Sequence, residues 1–271
     1  MEAALQRRVQ RYGWDKAALY YENSWQQQLK PAHDALFDVA NIQTGQKIID
    51  IACGTGLMSF RALEATGSDG LIVGTDISDK MIEIADKTAK ENGLGNIRFE
   101  RMDAEELKVD DEEFDLAICA LGLMYLPSPV NALKQMFRVL KKGGHCVAAV
   151  WGKRINCGWA DIFEIVDKRV SSEVCPMFFN LGNEKVLEEN FKLAGFASCQ
   201  VKRIQSFLEY DTDEKACSAA FEGGPVALAY SKFSESVKKE ACEEYLTSIE
   251  NFKTEDGYSV PGEFLIGLGI K

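Results

Sequence analysis

A glycine turn placed directly after an apolar run is the feature that most limits how this chain can fold. The run from Ile48 to Ile51 is apolar except for Asp50, and it leads into a Gly-x-Gly turn formed by Gly54 and Gly56. Glycine is needed in such a turn because positive φ and close approach of the main chain to a ligand are cheap only without a Cβ. The pattern therefore predicts a buried parallel strand, a ligand-binding loop and then a helix.

A second apolar run ends in an acid that suits a ribose. The run begins at Leu71 and ends at Asp76, twenty positions after Gly56. This is the spacing at which a carboxylate meets the two hydroxyl groups of a ribose in a nucleotide-binding sheet. The two runs together predict a ligand of the nucleoside type.

The position of Ser59 separates two kinds of nucleoside ligand. A nicotinamide or flavin site favours a third glycine or an alanine there, where the helix packs on the strand and its N-terminus faces a pyrophosphate. A ligand with an amino-acid tail carries an ammonium group and no phosphate, and an acid at the end of the first strand suits it. Asp50 is that acid, so the residues favour the second kind.

On these motifs the chain resembles the class I S-adenosylmethionine-dependent methyltransferases, in particular the group related to the ubiquinone/menaquinone biosynthesis C-methyltransferases. The resemblance is close over residues 45–151 and looser elsewhere, and it implies S-adenosylmethionine as cofactor. It implies that Asp50 and the turn hold the methionine portion, that Asp76 holds the ribose, and that Asp103 with the Ala104 N–H meets the adenine edge. The implied cofactor-binding residues are Asp50, Ala52, Gly54, Gly56, Asp76, Ile77, Met81, Asp103, Ala104 and Ala120, with Tyr20 and Trp25 as covering rings.

Further segments follow in the order that the family shows. A third strand from Ile97 ends near Asp103, a fourth spans 114–120, and a loop over 121–127 is similar to the one beneath the methionine part of the cofactor. Residues 140–144 are interpreted as a helix C-terminus with cations and a glycine stop, followed by a fifth strand over 145–151. Alternating strands and helices of this kind predict a doubly wound, mostly parallel α/β sheet of seven strands.

The chain divides into three parts within one structural domain. Residues 1–44 carry bulky side chains at helical spacing and are expected to form a helical lid across the cofactor, with Trp14, Tyr21 and Trp25 in the stripe. Residues 45–151 form the Rossmann-like core. Residues 152–271 are expected to add the last strands and a helical cap over the substrate, with helices near 184–193, 213–221 and 226–249.

The sequence also offers candidate residues for the acceptor side of the site. Methyl transfer from a sulfonium needs alignment and exclusion of water more than a strong catalytic group, so no catalytic motif is expected. His33 is a weak candidate for a base, while a capping or surface role is the ordinary alternative; the other histidine, His145, is interpreted as structural. Tyr20 and Trp25 could cover the sulfonium or simply anchor the helices. Candidate walls for an apolar or aromatic substrate, each of which could equally be core, are Tyr125, Trp159, Phe178 and Phe179.

Composition limits the partners. The net charge of −11, from 31 basic and 42 acidic side chains, disfavours nucleic acid, and a small-molecule acceptor is expected. The eight cysteines are scattered without a C-x-x-C pair, so they are interpreted as reduced core residues, and neither a disulfide framework nor a metal site is expected. The absence of a long apolar run or signal sequence predicts a cytoplasmic chain without a membrane span, and the oligomeric state is not readable.

Two other classes stay open. A nicotinamide-dependent oxidoreductase would share the glycine loop and Asp76, although Ser59 and the lack of a Tyr-x-x-x-Lys pair count against it. A protein that binds S-adenosylmethionine without turnover would carry the same motifs. The acceptor atom, whether carbon, oxygen, nitrogen or sulfur, cannot be read from the fold.

Overall fold

One mixed sheet forms the centre of the computed structural model, which describes residues 2–170, 175 and 177–271. Its strands are β1 Lys47–Ile51, β2 Leu71–Asp76, β3 Ile97–Arg101, β4 Phe114–Ala120, β5 Leu140–Trp151, β6 Ser198–Tyr210, β7 Lys253–Thr254 and β8 Gly257–Ile270. Seven of them follow one another in the order β3-β2-β1-β4-β5-β8-β6, and the two-residue strand β7 pairs with β8. The strands β1 to β5 are parallel, and β8 runs antiparallel to β5 and β6. The predicted fold class is confirmed.

Helices cover both faces of this sheet, as its apolar strands require. Four of the five residues of β1 are buried, and so are five of the six residues of β2. Such strands are stable only when both faces are packed, which the crossover helices of a parallel sheet provide. The helices of the described residues are α1 Ala3–Ala40, α2 Leu57–Thr66, α3 Asp79–Glu91, α4 Pro129–Val139, α5 Ile162–Asp167, α6 Val186–Ala194, α7 Asp213–Phe221, α8 Ala227–Tyr230 and α9 Glu235–Ile249.

The N-terminal segment is a single helix of 38 residues, where the sequence suggested several. Its first half crosses the carboxyl ends of the parallel strands. The Asp15 carboxylate accepts hydrogen bonds from the Ser78 hydroxyl at 2.6 Å and from the Lys80 N–H at 3.1 Å, at the start of α3. The Gln6 side chain donates to the Tyr125 carbonyl at 3.0 Å, in the loop that follows β4. The helix therefore lies over the edge where the sequence predicts a ligand.

The segment over 140–144 is not the helix C-terminus that the sequence suggested. Helix α4 ends at Val139, and β5 already begins at Leu140. Leu140 is fully buried and pairs with Phe114, and the register then shifts before Leu116 pairs with His145. The cations and glycines of 140–144 favour a helix C-terminus locally, but burial of Leu140 against β4 makes this segment part of a strand instead.

The long helix predicted over 226–249 is divided in two. Helix α8 ends at Tyr230, and α9 begins after Ser234, whose hydroxyl accepts the Val237 N–H at 3.4 Å. A serine that caps a helix in this way competes with continuation of the preceding helix. The predicted helix over 213–221 agrees with α7, and the one near 184–193 agrees with α6 within two residues.

Candidate active site

The turn after β1 has the backbone that its glycines predict. Gly54 and Gly56 have φ values of 57° and 92°, and Ala52 also lies in the left-handed region at 56°. The chain order reverses between β1 and β4, which are neighbours in the sheet. Ligands of such sheets bind in the crevice outside the carboxyl ends of the strands at this reversal. The turn therefore lies where a ligand is expected.

Asp76 is held by backbone N–H groups on both sides. Its carboxylate accepts from the Gly54 N–H and from the Ser78 N–H, each at 2.9 Å. These bonds join the turn after β1 to the loop after β2. Burial raises the pKa of Asp76 to about 6, because it outweighs the effect of the backbone N–H groups, which lower the pKa.

Asp50 is buried deeper, beneath the turn, with only 1% of its surface exposed. One carboxylate oxygen accepts the Ser59 hydroxyl at 2.6 Å, whereas Oδ1 has no hydrogen-bond partner in the described residues. Burial, with a smaller contribution from the nearby Asp76 charge, outweighs the Ser59 hydrogen bond and raises the pKa of Asp50 to about 7. In the sequence, Ser59 stands out only because a nicotinamide site would have glycine or alanine there, and this hydrogen bond was not predicted. The bond joins Asp50 in β1 to a residue nine positions later, in the first turn of α2.

A cavity with an empty volume of about 550 Å³ opens beside the turn. Seven predicted site residues line it, namely Ala52, Gly54, Asp76, Ile77, Met81, Ala120 and Tyr125. Two further lining residues, Trp14 and Tyr21, belong to the predicted stripe of the lid, and Leu121, Gly122 and Leu126 belong to the loop predicted beneath the methionine part of the cofactor. Gln10 lines it as well and has no counterpart among the predicted side chains. Asp50 and Gly56 are not part of its wall. We call this space the loop cavity.

A second cavity, with an empty volume of about 320 Å³, adjoins the first and is lined mainly by rings. The two cavities share Trp14, Tyr21, Leu121 and Tyr125 as a common wall. Trp159 and Phe178, predicted as substrate walls, belong to the second cavity. We call this space the ring cavity; its wall is completed by Trp25, Leu29, Trp151, Gly224 and Pro225.

Two predicted covering rings lie elsewhere than expected. Tyr20 is 45% exposed and lines neither cavity, so this structure does not place it over the predicted cofactor site. Trp25 lines the ring cavity and not the loop cavity. Helical geometry explains the position of Tyr20, because Tyr21 is seven residues after Trp14 and shares its face, while Tyr20 is turned about 100° away. Trp25 shares the face of Trp14 but lies three turns further along the helix.

Asp103 is engaged by the N-terminal helix. Arg7 of α1 forms ion pairs with Asp103 at 2.7 Å and with Glu105 at 2.8 Å, and the Asp103 carboxylate also accepts the Glu105 N–H at 2.9 Å. Neither Asp103 nor Ala104 lines the loop cavity. Their segment nevertheless lies beside Asp76, because the Met102 N–H donates to the Asp76 carbonyl at 2.9 Å.

His33 and Phe179 are also outside both cavities. His33 is buried on α1, and burial together with the Arg61 charge lowers its pKa to about 4. Phe179 packs against Phe178 and Trp159, with ring centroids 4.7 and 5.7 Å apart, so it supports the ring cavity from behind.

Of the described residues, no three His, Cys, Asp or Glu side chains are grouped so as to hold a metal ion. No helix in the described part of the chain has the length and apolarity to cross a membrane.

Comparison with known proteins agrees with this geometry. Residues 42–209 match a family model described as a methyltransferase domain. A demethylmenaquinone methyltransferase of Geobacillus kaustophilus is 31% identical over 226 residues, which cover 74% of this chain and 94% of the relative. The ubiquinone/menaquinone biosynthesis C-methyltransferase UbiE of Idiomarina loihiensis is 28% identical over 193 residues, or 70% of this chain and 75% of the relative.

Solved structures share the fold at lower identity. The YcgJ protein of Bacillus subtilis has a TM-score of 0.61 and 16% identity, with 89% of this chain and 98% of that chain covered. A Haemonchus contortus phosphoethanolamine N-methyltransferase, solved with S-adenosyl-L-methionine, has a TM-score of 0.62 and 17% identity, with 95% and 57% covered.

Proposed function

This chain belongs to the family of methyltransferase domains, and we propose that its loop cavity holds S-adenosylmethionine while its ring cavity holds a flat, largely apolar acceptor. The chain is an S-adenosylmethionine-dependent methyltransferase that acts on a small molecule, of the group related to the ubiquinone/menaquinone biosynthesis enzymes. Neither the family match nor these relatives support an oxidoreductase. The assignment of each substrate to a cavity is our proposal.

The loop cavity and the Asp50 carboxylate behind its wall fit the cofactor. Asp50 does not line the cavity itself, but its unpaired Oδ1 is an unsatisfied buried acceptor that suits an ammonium group. The buried Asp76 carboxylate suits a ribose diol, and Ile77 and Met81 provide an apolar surface for adenine. We infer that Asp103 meets the adenine edge only after the Arg7 ion pair opens.

The shared wall is the observation that supports the division of roles. Trp14, Tyr21, Leu121 and Tyr125 face both cavities, so molecules in the two cavities would meet there. When bound, S-adenosylmethionine supplies a methyl group that moves to the acceptor nucleophile as the carbon–sulfur bond breaks and its electron pair stays on sulfur. The chain contributes alignment and exclusion of water, both of which rings at van der Waals contact provide.

The tyrosines of this wall act as hydrogen-bond donors and not as bases. Burial raises the pKa of Tyr21 and of Tyr125 well above the usual value, so both phenols stay protonated near pH 7. Neither phenol therefore takes up a proton that the acceptor loses. We infer that the segment 1–44, which includes α1, serves as the lid, residues 45–151 as the cofactor core, and residues 152–271 as the last strands and the substrate cap.

Two measurements on the full chain test this function. Calorimetric titration should show uptake of S-adenosylmethionine and of S-adenosylhomocysteine, and none of NAD. An acceptor library of naphthols, catechols and hydroxyquinones should release S-adenosylhomocysteine, and Phe178→Ala, which opens the ring cavity, should raise the KM of the acceptor more than the Kd of the cofactor. Binding of the cofactor without release of its product for any acceptor would favour a protein without turnover.

A further inference from the structure

Two buried indole N–H groups without a hydrogen-bond partner belong to the wall of the ring cavity. Trp25 is 5% exposed and Trp159 is 2% exposed, and the Nε1 atom of each has no partner in the described residues. An unpaired buried donor is destabilising, because it has lost its hydrogen bond to water without replacement. Two such donors on one small cavity indicate a ligand group that accepts hydrogen bonds there.

Ring packing holds the two donors in fixed positions. The Trp25 and Trp159 rings meet edge to face with centroids 6.0 Å apart, and Trp151 contacts both, at 6.2 and 4.7 Å. Side chains locked in this way keep their hydrogen-bonding direction before a ligand arrives, so little ordering is needed on binding.

Two glycines, without side chains, lie against the N–H edge of Trp25. A Cβ on Gly223 would lie 3.3 Å from Trp25 Cδ1, and one on Gly224 would lie 3.7 Å from Trp25 Cζ2. These two ring carbons flank the Nε1 atom along one edge of the indole. Gly224 itself lines the ring cavity, so this edge is turned towards the cavity wall.

The rest of the ring cavity limits the chemistry of the ligand. No Asp, Glu, Lys, Arg or His of the described residues lines it, and its only titratable groups are the phenols of Tyr21 and Tyr125. An ionised ligand group would therefore have no countercharge. The indole N–H donates and cannot accept, so its partner must carry a lone pair, as a ring oxygen does.

From these observations we infer that Trp25 and Trp159 form an oxygen-binding pair that orients a neutral ring compound in the ring cavity. The inference rests on the proposed function and deepens it by naming two positioning residues and the ligand group that they recognise. A ring whose oxygen is fixed at Trp25 and Trp159 can turn only one edge towards the wall shared with the loop cavity. The same ring without the oxygen would leave both donors unpaired and would bind more weakly.

Indole resonances of protein labelled with ¹⁵N-tryptophan test this inference directly. The chain has four tryptophans, and the variants Trp25→Phe and Trp159→Phe identify two of the four signals by their loss. With S-adenosylhomocysteine present, 1-naphthol, 1,4-naphthoquinone and naphthalene are added separately. The Trp25 and Trp159 protons should move downfield with the oxygenated probes and not with naphthalene. The probe that produces the larger shift distinguishes a hydroxyl from a carbonyl ligand.

Affinity measurements add a second readout, with Trp151→Phe as matched control. Trp151 lines the same cavity, but its Nε1 is not one of the buried unpaired donors. Trp25→Phe and Trp159→Phe should each weaken binding of the oxygenated probe about five- to tenfold and leave naphthalene unchanged, as expected for one hydrogen bond. Trp151→Phe should affect all probes alike.

Three outcomes would overturn the oxygen-binding pair. They are equal indole shifts with all three probes, no binding of either oxygenated probe, and equal losses for Trp151→Phe and the two test variants. The proposed function fails separately, through absence of cofactor uptake or of S-adenosylhomocysteine release with any acceptor. If the indole protons of Trp25 and Trp159 do not shift in a chain that still transfers methyl groups, only the role of these two residues is rejected.

Discussion

Gly122 packs so closely against Ala52 that a Cβ at position 122 would collide with the Ala52 Cβ, and it would lie only 2.9 Å from Cys119 Sγ. The loops after β4 and after β1 therefore touch, with no space between them for a side chain. The φ of Gly122 is −99°, which any residue can adopt, so the restriction is one of space and not of backbone conformation.

Gly122→Ala should therefore separate the two loops and damage the loop cavity. We expect a loss of about 1–3 kcal/mol in the free energy of unfolding, the usual effect of overpacking, together with weaker binding of S-adenosylhomocysteine. Urea unfolding and calorimetry measure the two quantities. Gly95→Ala is the matched control, because a Cβ there meets nothing within 4 Å. Equal behaviour of the two variants would show that the contact between the loops is unimportant.

Asp76→Ala should weaken cofactor binding by about 1–3 kcal/mol through loss of charged hydrogen bonds. The same carboxylate accepts the Gly54 and Ser78 N–H groups, so the variant should also unfold more easily. Asp86→Ala, at an exposed site on α3, controls for the change in net charge. Unchanged affinity for S-adenosylhomocysteine in a folded Asp76→Ala protein would remove Asp76 from the ribose site.

The sequence predicts the parts of the site that are local in the chain. The strands, the glycine turn and the acids at strand ends follow from short patterns, and Asp76, Ile77 and Met81 do line the loop cavity. The positions of these residues follow almost entirely from two facts: the strands are buried, and the strand order reverses between β1 and β4. For this reason the fold class could be predicted before the structure was known.

The remaining site residues depend on contacts between distant segments. Arg7 reaches Asp103 from a helix almost a hundred residues earlier, and no local pattern signals that pairing. The helical stripe contained Trp14 and Tyr21, which line the loop cavity. To prefer Tyr21 over its neighbour Tyr20 as the covering ring, one must know which face of the helix meets the sheet. The beginning of β5 at Leu140 likewise depends on its partner Phe114.

Arg7→Ala should release Asp103 for the adenine edge. The variant also removes the cation that pairs with Glu105, whose side chain is only 5% exposed, so we expect a loss of about 1–3 kcal/mol in the free energy of unfolding. We expect the variant to discriminate more strongly between S-adenosylhomocysteine and its inosine analogue. The analogue lacks the amino group that would donate a hydrogen bond to the Asp103 carboxylate. Competition calorimetry with the two ligands measures this ratio. An unchanged ratio would place the adenine amino group away from Asp103.

Asp50 should make cofactor binding depend on pH. Its pKa of about 7 means that the carboxylate is largely protonated at pH 6 and cannot pair with an ammonium group. Affinity for S-adenosylmethionine should fall about tenfold from pH 8 to pH 6, and Asp50→Asn should bind weakly with little pH dependence. Because Asp50 and Asp76 interact, the measured midpoint belongs to the pair. A flat profile in the unmodified chain would exclude Asp50 from the ammonium site.

The raised pKa of Asp50 also determines its effect on folding. The folded protein holds a proton that the unfolded chain releases near pH 4, so the contribution of this group to stability is full below pH 4. That contribution is lost as the pH rises towards 7. Unfolding in urea at pH 5 and pH 8 should show this decline in the unmodified chain and a smaller one in Asp50→Asn. An equal decline in both proteins would mean that Asp50 is charged in the folded state already at pH 5.

His33 should affect stability in the opposite sense and leave catalysis unaffected. Its pKa is about 4 in the folded protein and about 6.5 in the unfolded chain, so the unfolded state takes up a proton first. The contribution of His33 is therefore full above pH 6.5 and is lost as the pH falls towards 4, by up to about 3 kcal/mol. His33→Gln should reduce this loss on acidification in urea unfolding, while kcat for methyl transfer stays within about twofold, since His33 lines neither cavity. A large fall in kcat, with unchanged cofactor affinity and an altered pH profile, would instead return His33 to consideration as the general base.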